Sequence, residues 1–259
     1  MDIKSYFLVY KRFNELQKNL SYKAFSKSKF KSIKHSTYFE VYDELFSKYR
    51  NKKITFVEIG ILGGGSLFMW RNFFGPKARI IGIDLNPGAK KWTKYGFEIF
   101  IGDQSDVNFW KTFKKKVGKI DIILDDGGHK YVDQITSIEC ILSNIKHGGL
   151  IVVEDTHTSY MDGFGNKKYS LINYIKNKID KINHKSHKLK NENSKDNIWS
   201  IKVYESIVAI FIKNNEKQTI SAPITNKGID DNAKDFRVER NKQNKSFRKI
   251  LEKVKNYFR

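Results

Sequence analysis

The spacing of apolar residues changes near residue 53. Before it, Tyr38, Tyr42, Leu45 and Phe46 recur every three or four positions, so the chain up to about Arg50 is predicted to be helical. After it come short apolar runs, predicted as strands over 54–59, 79–84, 98–101, 120–124 and 150–154. The intervening stretches 66–73, 106–117 and 132–145 return to a helical period. Strands that alternate with helices predict an α/β fold with a doubly wound, mostly parallel sheet.

The alternation stops after Thr158. A loop over 161–166 lies where it can cover a ligand crevice, and a helix is predicted over 169–182. The polar stretch 184–196 reads as an exposed insertion. Two apolar runs, 199–204 and 206–212, are too close in sequence for a crossover, so they predict a hairpin that ends the sheet with an antiparallel strand. Beyond Lys213 the composition turns polar and basic, with an amphipathic helix predicted over 246–258. The expected organisation is a helical segment over 1–50, a central domain over 51–212 and a basic extension over 213–259.

Composition adds few constraints. A hydrophobic content of 39% is that of a globular chain, and a single cysteine, Cys140, excludes an intramolecular disulfide and points to a reducing compartment. No apolar run reaches signal-peptide or membrane-spanning length, so the expectation is a cytoplasmic protein without a membrane span. The net charge of +21 is open to two readings: lysine scattered over solvated faces, or an electrostatic footprint for an anionic partner. No helix carries an uninterrupted basic stripe with interleaved aromatics, so no nucleic acid is expected.

Chemistry concentrates at the strand ends. The first strand runs into Gly60-Ile61-Leu62-Gly63-Gly64-Gly65, and a helix begins near Ser66. Glycines there permit a tight turn and close approach of a ligand to the backbone, as in Rossmann-like nucleotide sites. Asp84 ends the next strand, where a carboxylate can accept from ribose hydroxyls. The turn alone also suits a dinucleotide enzyme, or no ligand at all. Three features favour S-adenosylmethionine: Glu58 two residues before the first glycine, Gly102-Asp103-Gln104 after the third strand, and the antiparallel end of the sheet. The expected cofactor residues are Glu58, Gly60, Gly64, Ser66, Asp84, Asp103, Gln104 and Asp125; for Asp125 a helix cap is the alternative.

The fourth and fifth strands end in Asp125-Asp126-Gly127-Gly128-His129 and Glu154-Asp155-Thr156-His157. In a parallel sheet these ends lie side by side. Four carboxylates there repel one another unless a cation or shifted pKa values compensate. Oxygen ligands of this kind suit Mg²⁺ or Mn²⁺, and Asp126, Glu154 and Asp155 are the expected metal ligands. His129 beside them is the expected general base, with His157 as its competitor.

Glu58-Ile59-Gly60 through Trp70, Gly102-Asp103-Gln104-Ser105-Asp106, Asp125 through His129 and Glu154 through Tyr160 together resemble the macrocin- and mycinamicin-type sugar O-methyltransferases. The upstream His35 through Tyr42 and the late Tyr204-Glu205-Ser206-Ile207-Val208 fit as well. The resemblance implies a class I fold and magnesium-dependent methyl transfer from S-adenosyl-L-methionine to a sugar hydroxyl. Asp126, Glu154 and Asp155 then hold the metal and His129 takes the proton. The sequence departs from the family at Gly128, where serine is frequent, and at Met161, where tryptophan is common.

The acceptor is expected to be a saccharide or nucleotide-sugar, as in cell-surface polysaccharide biosynthesis; the charge would suit a phosphorylated carrier. A catechol-type phenolic acceptor and a basic RNA-associated protein are the alternatives. A dehydrogenase lacks its tyrosine–lysine pair, since Tyr169 is followed by Asn173. The N-terminal aromatic helices leave a homo-oligomer open.

Overall fold

A computed structural model describes residues 14–184 and 197–214, and a few positions after them. The chain divides into two units, 1–221 and 222–259, and the fold below belongs to the first. All of the predicted helix over 246–258 except Val254, and nearly all of the polar insertion over 184–196, lie outside the described residues.

Seven strands form one sheet: β1 (Thr55–Ile59), β2 (Arg79–Asp84), β3 (Glu98–Ile101), β4 (Ile120–Asp125), β5 (Ile145–Val153), β6 (Ile198–Tyr204) and β7 (Ile207–Ile212). Their order is β3-β2-β1-β4-β5-β7-β6. The first five pair in parallel, and β7 runs antiparallel to both β5 and β6. The predicted doubly wound sheet with an antiparallel end is therefore observed. Its strand order reverses direction beside β1, and this topological switch places a crevice at the carboxyl ends of β1 and β4.

Period-two patterning sorts the strand residues onto two cores. Phe56, Ile122, Leu124, Leu150 and Val152 face one side; Val57, Ile59, Ile123, Ile151 and Val153 face the other. Helices α1 (Leu20–Ser26), α2 (Tyr38–Phe46) and α3 (Gly65–Phe74) cover the first side. Helices α4 (Val107–Val117), α5 (Tyr131–Ile141) and α6 (Leu171–His184) contribute Trp110, Phe113, Ile138, Ile141, Leu171 and Ile175 to the second core. The first core is aromatic: Trp70 packs against Phe56 at 5.0 Å and Tyr42 at 5.1 Å between ring centroids, all three fully buried. Each such ring contributes about 1.5–3 kcal/mol by burial, so α2 is fastened to the sheet rather than appended to it.

Several boundaries differ from the sequence reading. The strand expected from residue 150 begins at Ile145, with a register shift against β4 and Gly148-Gly149 inside it. Ile145 pairs with Ile120 and Leu150 with Ile122, so Lys146 through Gly149 bulge out of the ladder opposite Asp121. The helix expected to run to residue 145 ends at Ile141 and tightens into a 3₁₀ turn, Leu142–Asn144. The N-terminal region is not continuously helical: residues 27–37 form an irregular strap between α1 and α2. Ser28 Oγ donates to the Gly65 carbonyl at 2.7 Å, which draws the strap across the start of α3. The loop over 161–166 is pinned to the start of α5, where Tyr131 N donates to Phe164 O at 3.1 Å and the Tyr131 hydroxyl donates to Thr158 O at 3.0 Å.

Gly60 shows why the turn after β1 needs glycine. It has φ +81°, and a Cβ there would overlap the carbonyl of Asp126 at the end of β4. Gly60→Ala is expected to destabilise the protein by at least about 2 kcal/mol, from left-handed strain plus displacement of the neighbouring loop. Urea unfolding monitored by tryptophan fluorescence checks this, and an unchanged midpoint would contradict it.

Candidate functional site

The crevice opens into a cavity of about 840 Å³ at the carboxyl ends of the parallel strands. On one side it is lined by Gly60, Ser66, Asp84, Asp103 and Gln104, and on the other by Asp126, His129, Glu154 and Asp155. The strap adds Lys31, Ser32, Ile33, Lys34 and His35 to the wall.

Asp84 clamps the glycine turn. Its Oδ2 accepts from Ile61 N at 3.1 Å and Leu62 N at 2.9 Å, and its Oδ1 accepts from Asn86 N at 2.8 Å. Leu62 has φ +39° and is held there with its side chain exposed. Three expected cofactor residues are not on the cavity wall. Glu58 is fully buried and accepts from Ser66 Oγ at 2.7 Å and Trp70 Nε1 at 3.0 Å. Burial pushes its carboxyl up to about 7, against the opposing pull of Lys34. Gly64, at φ +73°, lies against the Trp92 ring, which leaves no room for a side chain.

Asp125 is the third. Its carboxylate accepts from Gln104 Nε2 at 3.1 Å and from Gly127 N at 3.1 Å, and burial raises it to about 6. Gln104 Oε1 accepts from Gly128 N at 2.9 Å. Gln104 and Asp125 thus form a clasp that shapes the diglycine turn, and Gln104, although on the wall, has its amide committed to that clasp. The sequence shows a carboxylate at each strand end; which of them turns inward is decided by the donors each one meets.

The acidic rim assembles as expected, with a partner that the sequence did not reveal. Lys34 Nζ lies 2.6 Å from Asp126 Oδ2, 2.9 Å from Glu154 Oε2 and 3.9 Å from Glu58 Oε1. Tyr42 donates to Glu154 Oε1, and Tyr38 donates to Asp155 Oδ1, both at 2.5 Å. Burial would lower the ammonium pKa of Lys34, but Glu154, Asp126 and Glu58 outweigh it and hold the charge in place. Burial pushes the carboxyl of Glu154 up, only partly relieved by Lys34. Nothing in a chain with 49 Lys and Arg residues marks one lysine as buried. The weak signal was position, four residues before the first residue of the helix that supplies Tyr38 and Tyr42.

Asp155 and His129 both adopt left-handed backbone, at φ +54° and +57°. Such strain at two non-glycine residues costs about 1–3 kcal/mol each and clusters at functional sites. His129 Nε2 lies 3.4 Å from Asp155 Oδ2, while its Nδ1 is buried without a hydrogen-bond partner among the described residues. His157 is turned away, with Nδ1 3.1 Å from Ser206 Oγ.

One ligand atom each from Asp126, His129 and Asp155 lie within 4.8 Å of one another. The two carboxylates suit Mg²⁺ or Mn²⁺, and the imidazole stands beside them. Glu154, the third expected ligand, stands behind them with both oxygens engaged by Lys34 and Tyr42. On the other side of the cavity, Ser32 Oγ is buried and unpartnered, a polar group left for a polar ligand end. The donor chemistry of both halves therefore fits an adenosyl cofactor beside a divalent ion.

The strand order and the crevice at its switch point define the architecture of a class I methyltransferase. In sequence the chain is similar to the macrocin- and mycinamicin-type sugar O-methyltransferases. It is 33% identical over 156 residues to mycinamicin VI 2''-O-methyltransferase of Micromonospora griseorubida, covering 55% of this chain and 39% of the relative. To demethylmacrocin O-methyltransferase of Streptomyces fradiae it is 31% identical, covering 55% and 39%. To a tetracenomycin-C rhamnosyl 2'-O-methyltransferase of Streptomyces olivaceus it is 30% identical, covering 57% and 42%. The chain thus spans about two-fifths of the length of these relatives. The solved structure of MycE methyltransferase from the mycinamycin pathway, in complex with Mg and SAH, superposes with a TM-score of 0.67 at 28% identity, covering 81% of this chain and 57% of that one. No family model matches the chain.

The state of Glu58 can be read from stability. Its native pKa of about 7 lies above the ordinary 4.5, so the fold prefers the protonated acid. That contribution is full below about pH 4.5 and is lost as pH rises through about 7. Between those limits the wild type is expected to lose up to about 3 kcal/mol relative to Glu58→Gln. Urea melts of both proteins across the range test it; parallel curves would contradict it.

Proposed function

We propose that this chain is an S-adenosyl-L-methionine-dependent, divalent-metal-dependent O-methyltransferase acting on a saccharide hydroxyl. The observation that carries this reading is the meeting of Asp126, His129 and Asp155 at one mouth of the cavity whose other half is the Gly60–Asp84 turn. The rhamnosyl and olivosyl groups in the names of relatives and the Mg and SAH of the MycE complex support it.

The chain's own groups have separable tasks. Gly60 and Asp84 fix the turn that would hold the cofactor, and Ser66 and Asp103 add polar groups to that wall. Asp126 and Asp155 offer the hard oxygen ligands that Mg²⁺ prefers. A bound divalent ion supplies Lewis-acid polarisation of the acceptor hydroxyl. His129 accepts the proton at a ring nitrogen, and Asp155 beside its Nε2 stabilises the imidazolium that results. The sulfonium leaving group needs no further activation, so alignment and proton removal are the work left to the protein.

Relatives named for rhamnosyl and olivosyl compounds point to a sugar hydroxyl, and that is the level at which the acceptor is assigned. A polysaccharide or nucleotide-sugar acceptor on a phosphorylated carrier is supported by the charge of +21 alone. A phenolic diol is the second reading, because two adjacent oxygens would meet a divalent ion held by the same pair of carboxylates. No helix among the described residues is long and apolar enough to cross a membrane.

A labelled-methyl transfer screen against nucleotide sugars, saccharide fragments and catechols, with and without Mg²⁺, tests the reading. Transfer to a saccharide that EDTA stops and Mg²⁺ restores is expected; full activity in chelator would remove the metal from the reaction. His129→Ala is expected to lower turnover by at least about 100-fold while leaving cofactor and Mn²⁺ affinity nearly unchanged by calorimetry. Loss of Mn²⁺ binding in that variant would make His129 a ligand instead of the base.

A further inference from the structure

Lys34 is delivered to the rim by the strap, not by the sheet. Its ammonium bridges Asp126 Oδ2 and Glu154 Oε2 with 2% of its side chain exposed, and Glu58 closes the third side. Asp126 thus faces two cationic positions: Lys34 on one side, and on the other the place where its ligand atom gathers with those of His129 and Asp155. Glu154 is withheld from that place, because Lys34 takes one of its oxygens and Tyr42 the other. A dication and an ammonium sharing one carboxylate repel, and exclusion of water at a buried site strengthens the repulsion.

We propose that Lys34 is an internal counter-cation that competes with the divalent ion for this rim: ion binding displaces the ammonium from Asp126 and Glu154 and frees Glu154 to join the ligands. The inference rests on the metal reading above. Two features suit Lys34 to the role. Its four-carbon stem is flexible, and its ammonium is a point charge that can leave without breaking a bidentate geometry. The strap that carries it has no regular secondary structure between α1 and α2. Without a bound ion the lysine holds three carboxylates together; with one it is the charge in excess. Lys34 is a positioning residue in this scheme, since it acts through the ligand carboxylates.

The test is calorimetric titration of Mn²⁺ alone into the full chain, as wild type, Lys34→Gln and Lys34→Arg. Lys34→Gln is expected to bind Mn²⁺ about tenfold or more tightly than wild type, because Asp126 and Glu154 lose their competing cation. Lys34→Arg, which keeps the charge, should bind no tighter than wild type. A residue with a purely structural role would weaken binding when removed, so equal or weaker binding by Lys34→Gln overturns the proposal. Should Lys34→Gln fail to fold, amine acylation of the wild type read by mass spectrometry decides. Lys34 should be protected without metal and labelled at saturating Mn²⁺, and unchanged protection overturns the proposal. Absence of Mn²⁺ binding in every protein overturns the metal reading as well, whereas binding at equal affinity overturns only the competition.

Discussion

Charge balance at the carboxyl ends of β1, β4 and β5 constrains the rest of this structure. Glu58, Asp126 and Glu154 converge from three adjacent strands, and three carboxylates in a buried place cannot coexist without a cation or a proton. Lys34 supplies the cation and the phenol of Tyr42 a hydrogen bond. Both groups come from the N-terminal region, so the α1–strap–α2 segment is tied to the sheet by electrostatics as well as by its aromatic face. Removing one member of such a buried cluster leaves the others uncompensated, at a cost of about 3–5 kcal/mol.

The same cluster links the two halves of the crevice. Glu58 reaches back to Ser66 and Trp70 at the start of α3, behind the glycine turn, while Asp126 and Glu154 look forward to the mouth. Glu58 thus serves as a buried strut between the wall assigned to the cofactor and the rim assigned to the metal. That explains how an acidic residue two positions before the first glycine can matter without reaching the cavity. The Gln104–Asp125 clasp has a parallel role for the diglycine turn that carries His129.

Much of the fold was legible in the sequence because its signals are local and repeated. The strands at 79–84 and 98–101 have the bounds their apolar runs predicted, and α4 ends where its period does. The early start of β5 was not legible, because Ile145 joins the ladder through its pairing with Ile120 while Lys146 through Gly149 bulge out of register before Leu150. The strap between α1 and α2 was not legible, because its shape follows from contacts with Gly65 and the rim, far away in sequence.

By itself the sequence determined which chemistry was available: a glycine turn, an acid at the end of β2, and paired acids after β4 and β5 with a histidine between them. Residue type and strand alternation suffice for that, since parallel strands bring their carboxyl ends together whatever the details. The tertiary structure decided which of those acids face the cavity and which are consumed inside the protein. Asp126 and Asp155 stand beside His129 and Glu154 reaches the wall with both oxygens taken by Tyr42 and Lys34, whereas Glu58 and Asp125 are enclosed by Trp70 and Gln104. The reason is physical: a buried carboxylate is defined by the donors it meets, and those donors come from elements distant in the chain.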